Sequence, residues 1–133
     1  MKRVTIAAHD GLALSASVWD GPADRTPLLC LPGICRSTLD FETLAARHRD
    51  TRRVVSLDYA GHGESARAAD PERYRPFTLA RDVMDCLAAL HVHRAAIVGV
   101  SFGGLVSMAL SVIRPGTVAG VLLDDIGPEV GAS

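Results

Sequence analysis

Residues 99–104 read Gly-Val-Ser-Phe-Gly-Gly, which places Ser101 between Gly99, two positions before it, and Gly103, two positions after. The β-branched run AAIVGV leads into this stretch and an apolar helical pattern, LVSMALSVIR, follows it. A serine at a sharp strand-to-helix turn, flanked by residues small enough for the backbone to fold back without a clash, has its hydroxyl lifted clear of a sheet. Such a hydroxyl attacks carbonyl carbon. The helix that starts there aims its unpaired N–H groups, and its positive dipole end, at the place where the resulting oxyanion develops. The N–H of Phe102 is the natural first donor. Ile34, just after Pro32-Gly33 at the end of another apolar run, is placed to supply the second.

Other readings exist for a serine in a glycine-rich turn. One is a small residue at a tight bend and nothing more. Another is a phosphate loop, but that requires G-x-x-x-x-G-K-[ST], and the only lysine in the chain is Lys2. A dinucleotide site requires G-x-G-x-x-G, which this stretch does not supply. The nucleophile reading brings its own requirement: a serine hydroxyl needs a general base within hydrogen-bond reach. Of the five histidines, His9 falls in an opening hairpin, and His48, His91 and His93 fall near helix ends that lead into strand starts, away from the serine. His62, in AGHGES at the carboxyl end of a strand, is the one on the same side. Ser101 is followed by 32 residues with no histidine among them.

The elements that must position these groups follow from the hydrophobic pattern. VTIAAHDG and LALSASVW, separated by Asp10-Gly11, read as a β-hairpin. PLLCLPG is a buried strand ending in a loop, and STLDFETLAARH is a first helix with Ser37 as its N-cap. RVVSLD is a strand that runs into the turn YAGHGES, with Asp58 as a structural strand-end residue. RAADPERYRPF reads as an exposed polar connection. A second helix starts at Thr78, as its cap, and puts Leu79, Val83, Cys86, Leu87 and Leu90 on one face, with Arg81, Asp82 and Asp85 off it. AAIVGV is a strand, SFGGLVSMALSVIR a helix stopped by Pro115-Gly116, and VAGVLLDD a last strand. Strands alternating with helices after a hairpin predict an α/β fold: a mostly parallel sheet with an opening antiparallel hairpin and helices on both faces. Ligands bind such sheets at the carboxyl ends of the strands, where the loops after PLLCL, RVVSLD and AAIVG all fall.

Taken together and in order, LLCLPGICRS, SLDYAGHGES, IVGVSFGGLVSMAL and VAGVLLDDIGP resemble the α/β-hydrolase fold superfamily, in its serine-nucleophile, esterase-like branch. The resemblance implies that the first segment is the oxyanion loop, with LPG in place of the commoner His-Gly. It implies that Ser101 sits at the nucleophile elbow with Gly99 and Gly103 as the elbow glycines. The family's order is Ser, then Asp or Glu, then His. Asp124 or Asp125, at the end of the last strand, is then the candidate acid, against the plainer reading of polar residues that close a strand. The histidine would follow the family's final strand. On this reading residues 1–133 are a single partial domain with about six of eight strands, ending where a cap insertion would begin. The implied activity is that of an esterase or C-C-bond hydrolase on a small acyl substrate, through a Ser101 acyl-enzyme, with no metal and no organic cofactor. The rival is a catalytically incomplete fragment or pseudo-hydrolase, an interaction or ligand-binding module completed by a second chain.

Composition narrows the partners. The chain has 133 residues, 48% hydrophobic and 22% charged, with a formal net charge of -1. That size supports one domain and one core. No apolar run approaches the roughly 20 residues needed to cross a bilayer, and MKRVTIAAHDG lacks the apolar centre of a secretory signal. A cytoplasmic protein with no membrane or nucleic-acid partner is expected. The basic cluster Arg47, His48, Arg49, Arg52 and Arg53 suits the negative end of a helix dipole. Cys30, Cys35 and Cys86 form no C-x-x-C pair and read as reduced thiols, Cys30 and Cys86 in the core and Cys35 in a loop near the serine. An edge strand at Val118 to Leu123 would leave an apolar flank for self-association or a partner chain.

Overall fold

The computed structural model describes residues 1–33, 36 and 38–124. Six strands form one sheet: β1 (Lys2–Ala7), β2 (Ala13–Trp19), β3 (Leu28–Leu31), β4 (Val54–Asp58), β5 (Ala95–Val100) and β6 (Val118–Asp124), in the spatial order β1-β2-β4-β3-β5-β6. β1 pairs antiparallel with β2, and β2 antiparallel with β4. The pairs β3/β4, β3/β5 and β5/β6 are parallel. The α/β architecture with its opening antiparallel hairpin is as the sequence predicts.

Among the described residues three α-helices cover the sheet: α1 (Glu42–His48), α2 (Pro76–Ala89) and α3 (Phe102–Ile113). On one face α2 and α3 enclose the larger core, where Leu29, Leu31, Leu57, Val83, Ile97, Val106 and Leu110 are almost wholly buried. On the other, Phe41 and Ala45, at and in α1, pack with Trp19, Cys30 and Val54. β5 shows why both faces need cover: Ala95, Ile97 and Gly99 are buried, while Ala96, Val98 and Val100, pointing the opposite way, are only half-buried. Burial pushes the Cys30 and Cys86 thiols up to about 12, which keeps them protonated and inert.

Three local expectations change. α2 begins at Pro76 and not at Thr78, because a proline at the first helical position gives up no hydrogen bond and its ring presets the helical φ. A 3₁₀ turn, Thr38–Phe41, precedes α1, so the α-helix starts only at Glu42; Ser37, its expected cap, lies outside the described residues. The connection read as wholly polar and exposed carries a buried arginine. Arg73 is 9% exposed and Asp82 is 0% exposed, joined by Nη1–Oδ2 and Nη2–Oδ1 hydrogen bonds of 2.8 Å each. Arg73 Nε also donates to Asp10 Oδ2 at 2.7 Å. This guanidinium fastens the β1–β2 turn to α2.

At the other flank β6 pairs only with β5 among the described residues. Leu122 is 64% exposed and Val121 39%, beside Val112 at 72% on α3. An edge strand with apolar side chains and unpaired backbone groups is a template for association. Residues 1–133 prepared alone are expected to elute above the monomer position and to bind a hydrophobic dye; a clean 14.1 kDa monomer on sizing chromatography would contradict this.

Candidate active site

Ser101 stands at the junction of β5 and α3 with φ 53° and ψ −114°, a conformation that non-glycine residues adopt only when the surroundings impose it. Two hydrogen bonds impose it here. The Ser101 N–H donates to the Asp124 carbonyl of β6 at 2.8 Å, and the Gly104 N–H donates to the Ser101 carbonyl at 2.9 Å. The flanking glycines are required by space. A Cβ on Gly103 would lie 2.0 Å from the Leu31 carbonyl oxygen, and one on Gly99 would lie 2.7 Å from Ser107 Oγ and 2.8 Å from the Gly103 carbonyl oxygen. The first turn of α3 is therefore pressed against β3 with no room for a side chain, and the serine is pushed outward, where it is exposed.

The hydroxyl faces an open cavity of about 470 Å³ lined by Pro32, Gly33, Arg36, Asp40, Phe41, Val100, Ser101 and Asp124. The loop after β3 runs close to the serine: a Cβ on Gly33 would sit 3.6 Å from both Ser101 Cβ and Arg36 Cγ. Arg36 Nε in turn donates to Asp40 Oδ2 at 2.9 Å, fixing a charged pair at the cavity mouth.

Beneath that loop lies Tyr59, the residue after β4 and fully buried. Its hydroxyl donates to the Pro32 carbonyl at 2.8 Å. Its ring meets Phe102 edge-on with centroids 5.7 Å apart, and His62 edge-on at 5.6 Å. Burial raises the phenol's pKa well above its ordinary value, so Tyr59 is a permanent hydrogen-bond donor. The turn that follows is built around Asp58, a buried carboxylate that accepts from the Glu64 N–H at 3.1 Å and from Arg3 Nη1 at 3.1 Å. Gly63, at φ +50°, would drive a Cβ to 2.2 Å from Asp58 Oδ2. Asp58 is thus engaged in holding its turn, as expected of a structural strand-end residue.

Of the residues singled out from sequence, Ser101, Gly99, Gly103, Phe102 and Asp124 come together at one end of the sheet. Phe102 opens α3, so its N–H belongs to the helix's unpaired first turn. Asp124 meets the serine through its backbone carbonyl and lines the cavity. Ile34, Cys35 and Asp125 lie outside the described residues. None of the five histidines hydrogen-bonds Ser101 among the described residues. His62 is turned to its own loop, with Nδ1 3.0 Å from the Ala60 carbonyl, and its buried Nε2 has no hydrogen-bond partner among the described residues. His9 pairs with Asp85 at 3.1 Å. His9, Asp82 and Asp85 do offer ligand atoms within 4.8 Å of one another, but Arg73 occupies both Asp82 oxygens, so a cation there would face a guanidinium. Sequence reasoning passed over Tyr59 and the Arg36/Asp40 pair. The i,i+4 spacing was a signal for the pair, and an aromatic directly after RVVSLD was the only signal for Tyr59.

Comparison with known proteins places the fold in a family. Residues 26–132 match the family model described as alpha/beta hydrolase fold. A 3-hydroxybutyrate-oligomer hydrolase of Cupriavidus necator is 35% identical over 115 residues, which cover 86% of this chain and 39% of the relative. The sn-1-specific diacylglycerol lipase ABHD11 of Danio rerio is 30% identical, over 88% of this chain and 37% of the lipase. Among solved structures, an alpha/beta hydrolase from Novosphingobium aromaticivorans superposes with a TM-score of 0.91 at 37% identity, covering 98% of this chain and 46% of that one. This chain spans about two fifths of the length of these two curated relatives.

Proposed function

The chain belongs to the alpha/beta hydrolase fold family, and from that premise we propose that it carries the nucleophile side of a serine hydrolase that cleaves a small acyl ester. The observation that carries this reading is the forced left-handed conformation of an exposed serine at the mouth of a cavity, on the first turn of a helix. Ser101 Oγ attacks the substrate carbonyl carbon as its proton passes to a base. The oxyanion forms against the Phe102 N–H and the β3 loop, where Ile34 is the second donor. Collapse expels the alcohol and leaves an acyl-serine, and water then releases the acid and restores the hydroxyl. Asp124 or Asp125 is the carboxylate that would orient the base. None of the five histidines hydrogen-bonds Ser101 among the described residues, and the base is the one member of this reading that the described residues do not supply.

An ester substrate is favoured over a C-C bond because the 3-hydroxybutyrate-oligomer hydrolase and the diacylglycerol lipase are named for substrates with ester links. The cavity's charged pair and the few apolar walls suit a short, polar acyl group better than a long chain. The alternative, a non-catalytic binding or interaction module, draws on the β6 flank, whose apolar side chains are exposed among the described residues.

A fluorophosphonate probe separates the two. Incubated with the protein as its source cell makes it, the probe is expected to add to the peptide containing Ser101, because phosphonylation needs an activated serine. Ester turnover with Ser101 unlabelled would overturn the assignment. Intact mass of the same sample reports whether a longer chain carries the base.

A further inference from the structure

We infer that Tyr59 is a positioning residue that sets the spacing between the two walls of the oxyanion site, an inference that rests on Ser101 being the nucleophile. Three observations converge on this side chain. Its hydroxyl holds the Pro32 carbonyl at 2.8 Å, and Pro32 leads directly into Gly33, whose added Cβ would stand 3.6 Å from Ser101 Cβ. Its ring packs edge-on against Phe102, the residue that follows the serine, with centroids 5.7 Å apart. It has no exposed surface and no freedom to do anything else. One rigid phenol therefore spans from the loop after β3 to the first residue of α3, the two segments that must stand a fixed distance apart to share one oxygen.

The geometry of that sharing is unforgiving. Oxyanion donors act only when they lie within about 2.7–3.1 Å of the position the oxygen takes in the transition state, and a displacement of about an ångström forfeits most of the effect. The loop after β3 has a proline at its base, which offers no N–H of its own to tie it down. Pro32 is buried and its carbonyl needs a donor, which among the described residues is Tyr59. Ground-state substrate binding depends on the cavity walls and not on this spacing. Loss of the phenol hydroxyl should therefore act on turnover and spare substrate affinity.

Tyr59→Phe keeps the ring and its contacts with Phe102 and His62 and deletes only the hydrogen bond to Pro32. In the full-length active protein it is expected to lower kcat about tenfold with KM changed less than twofold, the size expected from loosening one oxyanion wall. Affinity for a boronic acid, which mimics the tetrahedral intermediate, should fall by the same factor as kcat/KM. A substrate-like amide should bind as before. Equal weakening of boronic acid and amide, or a collapse of thermal stability that accounts for the lost turnover, would assign Tyr59 a merely structural role and overturn the inference. Unchanged kcat in Tyr59→Phe alongside an inactive Ser101→Ala would overturn the inference and leave the nucleophile standing. Turnover surviving in Ser101→Ala would remove both.

Discussion

Replacing Ser101 by alanine should reduce ester turnover by roughly 10⁴ to 10⁶ while leaving the melting temperature within a few degrees of the parent. The size follows from what the hydroxyl does. Without it no acyl-serine forms, and water must attack the substrate directly, aided only by the oxyanion donors and by binding. The small effect on stability follows from where the side chain sits: it is exposed, it closes no hydrogen bond within the described residues, and the two bonds that shape the turn are made by backbone groups that alanine retains. Alanine keeps the Cβ and so the same backbone strain, and gives up only an exposed hydroxyl. A variant that hydrolyses the ester at more than about a hundredth of the parental rate would place the activity elsewhere.

The largest stability effect is expected at Asp82. Its two oxygens accept both Arg73 hydrogen bonds at 2.8 Å in a site where Asp82 has no exposure. Burial raises the Asp82 pKa against the downward pull of Arg73, so forming the ion pair brings less net stability than its geometry suggests. Breaking it is another matter, because Asp82→Ala leaves a guanidinium enclosed with one partner. A loss of about 3 kcal/mol is expected, at the low end for a broken buried pair because Asp10 keeps its 2.7 Å bond to Arg73 Nε. The denaturation midpoint of Asp82→Ala measures it. Adding Arg73→Met to Asp82→Leu should recover most of the loss, since an apolar pair of similar volume has no desolvation to offset. A single variant within 1 kcal/mol of the parent would mean that Arg73 reaches water unaided. The Asp10 arm has a pH signature of its own. Asp10 is held below its ordinary value, first by the Arg73 hydrogen bond and then by the Leu12 N–H. Its contribution is therefore complete above the usual carboxylate range and is lost as pH falls through the lowered value.

Much of this molecule was legible in one dimension. G-x-S-x-G between a β-branched run and an apolar helix located the serine, and the structure explains the two glycines by contacts of 2.0 Å and 2.7 Å that any Cβ would make. Alternating strands and helices gave the sheet, because periodicity reports which face is buried. Arg73 and Asp82 escaped the same reasoning because periodicity treats every charge as outward. Their pairing joins a second 3₁₀ turn, Pro71–Tyr74, to α2, and only the folded chain shows that the two charges neutralise each other inside. Tyr59 escaped because a tyrosine after a strand is common, and nothing in the letters says that its hydroxyl reaches Pro32, 27 positions earlier. A base for Ser101 was not legible either, because each histidine follows its own local packing: His62 turns to the Ala60 carbonyl and His9 to Asp85.

The Ser101 N–H hydrogen bond to Asp124 has a consequence in time as well as in space. Synthesis delivers the serine before the carbonyl that pins it, and β5 pairs on its outer side only when β6 arrives. Until then only the Gly104 N–H bond to the Ser101 carbonyl holds the turn in its positive-φ conformation. On the proposed function, a chain stalled before the sixth strand docks lacks one of the two bonds that hold its nucleophile in the strained turn.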